Sequence, residues 1–176
     1  NYIFGMILAI MINRKDTKAK GFWRFCFVLS CAVPMFVSLL IMRTMLQPEG
    51  AVNVLLRNLG WIAQDASLPF FTDPTWARVT VIVVNIWVGV PYTLLQLTGV
   101  LQNIPADLYE AASIDGATGF KKFRYITLPM LKPTTFFVII MMTIQCFKVF
   151  DLIYVMTGGG PGRATNVLVN HIYNAA

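Results

Sequence analysis

The sequence predicts an all-α protein that crosses a membrane several times, a polytopic membrane helix bundle. Two observations predict it. Only 12% of the 176 residues are charged and 57% are hydrophobic, whereas soluble domains carry roughly 25% charge. The apolar residues also gather into three runs that each reach the ~20 residues a spanning helix needs. Three such runs are hard to place inside one small soluble domain.

In chain order, Asn1–Ile12 is apolar but short. It lacks a basic leader and a small-residue cleavage site, so it reads as the cytoplasmic end of a span and not as a signal peptide. The first full run is Arg24–Leu46, with Pro34 inside it. Ala77–Leu101 follows with Pro91, and Pro133–Thr157 is the third. Prolines inside spans imply kinks, tolerated where neighbouring helices satisfy the freed carbonyls. That favours a packed bundle. Between the first two runs, Trp61, Phe70, Phe71 and Trp76 suit a segment lying at the membrane interface, and Asp73-Pro74 marks a turn before the second run. "GGGPG" at Gly158–Gly162 reads as a tight outer turn, since it lacks the lysine of a phosphate-binding loop. The alternative use is a contact with another protein. Thr165–Ala176 reads as the start of another span. The chain is expected to be one membrane domain, residues 1–176, cut from a longer protein.

The net charge of +6 is distributed by topology. Arg14, Lys15, Lys18, Lys20 and Arg24 surround a single acid, Asp16, and a later loop holds Lys121, Lys122, Arg124 and Lys132. Arg43, Arg57 and Arg78 are spread thinly between the first two runs, and Arg163 stands alone. Basic loops stay on the cytoplasmic side. Asn13–Arg24 and Pro105–Lys132 are therefore expected inside, and Gln47–Trp76 and the glycine loop outside. The partners of this charge are anionic lipid headgroups, not nucleic acid.

Little in the chain suggests catalysis. Cys26, Cys31 and Cys146 lie in apolar runs without metal-ligand spacing and read as small packing residues. His171 has no acidic or thiol neighbours in the sequence, and no nucleophile–base pair is visible. The expectation is a non-catalytic protein with no cofactor and no metal.

The polar stretch "EAASIDGATGFKKFRYITLP", Glu110–Pro129, interrupts this apolar chain. Pro105 favours a first helical turn, and Asp107 and Glu110 complement its positive end. Gly116 should stop that helix. A second short helix should carry Phe120, Phe123 and Tyr125, and Leu128-Pro129 should end it. From the residues alone, this helix–turn–helix is either an interfacial amphipathic loop or a docking site for another protein. Polar residues inside spans are costly and usually face the bundle interior. Asn85, Gly89, Tyr92 and Gln96, at spacings of four, three and four, share one helix face. An amide, a phenol and a glycine that grants close access suit a sugar. Gln145, Lys148 and Asp151 form a second candidate group, with Lys148 and Asp151 able to pair. Either face also fits polar contacts between helices.

Glu110-Ala111-Ala112, three residues, Gly116, nine residues, Ile126, one residue and Leu128-Pro129 resembles the signature of permeases in bacterial binding-protein-dependent ABC importers. "FFTDPTWARVTVIVVNIWVGVPYTLLQLTGVLQNIPADLYEAASIDGA" and "VFDLIYVMTGGGPGRAT" are similar to the carbohydrate branch, the maltose and maltodextrin permeases in particular. The resemblance implies a type I importer transmembrane domain in the bacterial cell membrane. It implies that residues 105–132 form a coupling segment docking on an ATPase through Glu110, Ala111, Ala112, Gly116, Ile126, Leu128 and Pro129. By the same resemblance, Asn85, Val88, Gly89 and Tyr92 line a sugar site, more weakly joined by Gln145, Lys148 and Asp151. The implied partners are a second permease subunit, two cytoplasmic ATPases and an extracellular solute-binding protein. Rival readings are a secondary transporter or channel without an ATPase, a scaffold without cargo, and an importer of another small solute such as a polyol.

Overall fold

The computed structural model describes residues 1–14 and 17–175. Lys15 and Asp16 of the first basic loop, and Ala176 at the end of the last apolar run, lie outside the described residues. The elements are α1 (Tyr2–Asn13), α2 (Lys20–Ala32), α3 (Met35–Met45), α4 (Ala51–Asn58), α5 (Pro74–Gln102), α6 (Ala106–Ile114) and α7 (Gly119–Lys122). A π-turn (Phe123–Thr127) then leads into α8 (Leu128–Phe147), α9 (Asp151–Met156) and α10 (Leu168–Ala175). No strand occurs among the described residues. Two helices, Pro74–Gln102 and Gly119–Phe147, are long and apolar enough to cross a membrane, and α2 with α3 qualifies only as a broken pair. Just 11% of the apolar window in Gly119–Phe147 is buried. Phe136, Phe137, Ile139 and Ile144 are all exposed, so this helix needs lipid or other chains around it.

The described residues form two compact units, Asn1–Ala32 with Gly89–Ile144, and Val33–Val88 with Gln145–Ala176. In the first, Ala9 and Ile12 of α1, Leu94 and Leu97 of α5 and Leu131 of α8 make the core. Gly5 lets α1 approach α5 closely: a methyl group there would sit 2.8 Å from Thr93 Cβ and 3.3 Å from the backbone N of Leu94. In the second, Leu39 of α3 and Val84 of α5 pack with Leu152, Ile153, Val155 and Met156 of α9. Arg43 Nη1 donates to Val155 O at 2.9 Å.

Four expectations need correction. The first run is not one helix, because Pro34 takes extended backbone (φ −55°, ψ 132°) and caps α3. The third run ends at Phe147, restarting as α9 at Asp151. Asp151 thus lies in the first turn of α9, where its charge suits the positive end, and Lys148 is outside both helices. No Lys148–Asp151 ion pair occurs among the described residues, because the pair does not share a helix. Leu128-Pro129 does not end the second short helix either, since helix continues from Gly119 to Phe147. A proline ring clashes with the carbonyl four residues back. Here the widened turn, in which Leu128 N–H donates to Phe123 O, makes room for Pro129.

The turn expected at Asp73-Pro74 precedes α5, which begins earlier than the expected run. Asp73 Oδ1 accepts from Thr75 N and Trp76 N, both at 2.9 Å, and Pro74 is the first residue of α5. Between the first two runs, α4 was not anticipated. Asn53, fully buried, ties it down by donating to Gln47 O at 2.9 Å and accepting from Leu68 N at 2.8 Å.

Candidate functional site

The polar stretch folds locally. Helix α6 ends in a Schellman turn, in which Gly116 N donates to Ser113 O at 3.1 Å and Ala117 N to Ala112 O at 2.8 Å. Gly116 has φ +71°, the left-handed conformation this turn requires. Thr118 caps α7, its side chain accepting from Lys121 N. Two side-chain bonds then close the pair of helices across the turn. Tyr109 Oη lies 2.8 Å from Thr127 Oγ1, and Lys122 Nζ donates to Ser113 Oγ at 2.6 Å.

The motif residues sit on this frame. Glu110, Ala111, Gly116 and Pro129 are exposed, while Ala112, Ile126 and Leu128 are half-buried. Around them Ile114, Phe120 and Tyr125 are 87%, 75% and 74% exposed. Apolar side chains standing this far out on a hydrogen-bonded frame are the kind that anchor protein contacts. The roles of Tyr109, Thr127, Ser113 and Lys122 escaped the sequence reading. Helical periodicity reports faces within one helix, not bonds between two helices folded back on each other.

The incoming end of this segment is held separately. Arg24 Nη2 of α2 donates to Asn13 Oδ1 of α1 at 2.6 Å. With the Gln102 amide turned so that its oxygen faces the guanidinium, Arg24 bonds the last residue of α5 as well. Asn13 Nδ2 reaches Ala9 O at 2.7 Å and Thr98 Oγ1 at 3.3 Å. Neutral amides thus hold a cation at the ends of α1, α2 and α5. Counted in the sequence as a charge marking topology, Arg24 is also a clamp.

Asn85, Val88, Gly89 and Tyr92 all lie on α5. Asn85 and Gly89 are half-buried, and Tyr92 is 51% exposed. Val88 packs on the core of the second unit. Gly89 faces the start of α1, where a methyl group would stand 2.9 Å from Asn1 Cγ. Asn1 Oδ1 is itself buried without a hydrogen-bond partner. So the open space beside Gly89 that the sequence suggested is shared with an amide from another helix. Gln145 in the last turn of α8, Lys148 just beyond it and Asp151 at the start of α9 are exposed. No group of three or more metal-ligating side chains occurs among the described residues.

Known proteins match this arrangement along its whole length. The family described as "Binding-protein-dependent transport system inner membrane component" matches residues 1–175. The galactooligosaccharides transport system permease protein of Bacillus subtilis (strain 168) is 43% identical over 96% of this chain and 41% of its own length. The maltodextrin transport system permease protein of the same organism is 37% identical over 97% of this chain and 42% of its own. For the maltose/maltodextrin permease protein of Escherichia coli (strain K12) the figures are 38%, 98% and 34%. The chain therefore spans less than half the length of these relatives. A crystal structure of a bacterial ABC transporter that imports the acidic polysaccharide alginate superposes with a TM-score of 0.80 at 27% identity, over 98% of this chain and 60% of that one. An all-helical fold, membrane-length apolar helices and a match across residues 1–175 agree: the chain belongs to the family of binding-protein-dependent transport system inner membrane components.

Proposed function

We propose that this chain forms half of the translocation pathway of an ATP-driven oligosaccharide importer and contains no catalytic centre of its own. The observation that carries the reading is the Glu110–Pro129 frame. It is closed by its own hydrogen bonds and holds Ile114, Phe120 and Tyr125 outward, as a surface that docks on a cytoplasmic ATPase requires. A second permease subunit, two ATPases and an extracellular solute-binding protein complete the assembly. A complex of the alginate transporter with a periplasmic protein carrying an alginate pentasaccharide supports the last of these. The names of the relatives support maltodextrins or galactooligosaccharides as cargo. The α5 face of Asn85, Val88, Gly89 and Tyr92 is the proposed sugar contact, and Gln145, Lys148 and Asp151 are a second candidate group. Asn13–Arg24 and Pro105–Lys132 would then face the cytoplasm.

Uptake and ATP hydrolysis, measured on the same preparations, test both halves of this reading. Nothing lies within 4 Å of a methyl group on Gly116, so Gly116→Ala acts through backbone strain of about 1–3 kcal/mol and not through a clash. It should lower sugar uptake per ATP hydrolysed. Tyr92→Ala should leave that ratio intact and raise the apparent sugar KM. Removing one partner of a buried hydrogen bond costs roughly 1–3 kcal/mol, about tenfold or more in affinity. Wild-type coupling in Gly116→Ala would remove the docking role. Uptake independent of ATP would point to a secondary transporter.

A further inference from the structure

Helix α4, which belongs wholly to the second unit, is amphipathic the wrong way round for a helix in water. At about 100° per residue, Val54, Leu55 and Leu59 fall on one side. All three are exposed, the two leucines at 58% and 55%. Asn58 shares that side and is exposed as well. Gly60, at φ +73°, closes the helix in a Schellman turn, in which Trp61 N donates to Leu56 O at 3.0 Å. Trp61, fixed at this end, is 76% exposed. The other polar residues face into the protein. Asn53 is fully buried on Gln47 O and Leu68 N. The Arg57 side chain is only 13% exposed. Its Nε donates to Ala66 O at 2.8 Å, its Nη1 to Glu49 Oε2 at 3.0 Å and its Nη2 to Pro48 O at 3.0 Å. A surface helix in water buries its apolar stripe and exposes its charge. Here the order is reversed, and the bonds of Asn53 and Arg57 stop the helix from rolling over.

What covers the outward side follows from where α4 is fastened. A methyl group on Gly50 would fall on Met45 O and lie 2.5 Å from Thr44 O. The start of α4 is therefore pressed onto the last carbonyls of α3. With α2, α3 forms the broken pair apolar enough to cross a membrane, in a chain of an inner-membrane family. So α4 starts at the end of a membrane-length element and cannot stand away from it. Its length is about 12 Å at 1.5 Å per residue. That strip is far smaller than the ~800 Å2 per partner of a stable protein interface. A bilayer sets no such minimum. It takes a helix lying in its plane with the apolar side down and a tryptophan at headgroup level. We infer that α4 is an in-plane membrane anchor. Val54, Leu55 and Leu59 insert among lipid chains, Trp61 sits among the headgroups, and Asn53 and Arg57 tie the helix to the protein. Phe71, grouped with Trp61 by the sequence, packs on the core instead. The inference rests on the membrane family and not on the cargo.

The test uses the full-length protein with its partner subunits in nanodiscs of phosphatidylethanolamine and phosphatidylglycerol. Native cysteines are replaced, and a nitroxide is attached in Leu55→Cys, Leu59→Cys or Asp65→Cys. Asp65 is an exposed charge in the following loop and serves as the reference for water. Power saturation reads collisions with oxygen, which concentrates in hydrocarbon, and with a polar nickel chelate, which stays in water. At positions 55 and 59 the oxygen-to-nickel ratio should be severalfold higher than at position 65, with or without a solute-binding protein. Nickel collisions as frequent at 55 and 59 as at 65 would put the helix in water and overturn the anchor. Few collisions with either reagent, in the presence or absence of the binding protein, would put it against protein and overturn it equally. Disagreement between 55 and 59 would overturn the in-plane orientation. Both leucines are exposed, so the two labels report on the same folded helix independently. The measurement requires no turnover, so a failure of sugar uptake leaves its outcome intact.

Discussion

The same dipeptide, Val-Pro, occurs in the first and second apolar runs with opposite results. Val33-Pro34 separates α2 from α3, whereas α5 runs unbroken through Val90-Pro91. Each proline lacks a donor and disfavours helix at the valine before it, so local chemistry does not distinguish them. Surroundings do. Val33 and Met35 are 42% and 41% exposed, while Val90 is 8% exposed and Thr93 and Leu94 are fully buried. Gly5 of α1 rests directly on Thr93. Packing against a neighbouring helix holds α5 together where its sequence argues for a break.

The largest expected effect comes from removing that neighbour. Gly5→Leu would drive a side chain into Thr93 and the Leu94 backbone. Overpacking typically costs about 1–3 kcal/mol, and the upper end is expected because part of the obstacle is backbone. Thermal unfolding of the purified protein should shift down, with hydrogen exchange rising first in the amides following Pro91. Exchange that rises uniformly instead would mean that α1 does not hold this turn.

Pro34→Ala is the intermediate case. The amides of the first turn of α3 have no helical partners, and alanine would let the helix propagate back through Val33. Hydrogen exchange at Val33–Val37 should slow about tenfold, equivalent to ~1.4 kcal/mol. If exchange does not change, the break is imposed by packing and Pro34 merely occupies it. Pro91→Ala should do least. The helix is already continuous, so the change restores one hydrogen bond to Trp87 O, a net gain of about 1 kcal/mol. An increase in melting temperature without altered exchange boundaries is the expected result.

These cases show which features could be read from the residues. Gly116 was legible because a helix stop that needs positive φ nearly selects glycine. The turn at Asp73-Pro74 was legible because turn chemistry is local. Membership of the transport family was legible through the spacing from Glu110 to Pro129, and the family match over residues 1–175 bears it out. By contrast, Pro34 and Pro91 looked alike, since their difference lies in what packs against them. Helix through Pro129 was unreadable because a π-turn has no compositional mark. The continuous third run concealed the break after Phe147 for a similar reason: Lys148-Val149-Phe150 contains neither glycine nor proline. On the candidate sugar face, the sequence placed Asn85, Gly89 and Tyr92 on one helix but gave no hint that Asn1 would sit against Gly89.

The π-turn at Phe123–Thr127 also sets a phase. An α-helix advances about 100° per residue, and Leu128 N–H bonding Phe123 O winds one additional residue into the turn. Side chains of α7 therefore point about 100° away from the azimuth obtained by counting back from α8 at 3.6 residues per turn. A helical wheel drawn across Gly119–Phe147 would assign Phe120 to the wrong side. Deleting one residue within 123–127 would leave an uninterrupted α-helix with its polar end aimed as before, whereas straightening the π-turn with every residue kept would rotate that end by about 100°. The π-turn thus absorbs one residue of chain length without changing where the polar end points.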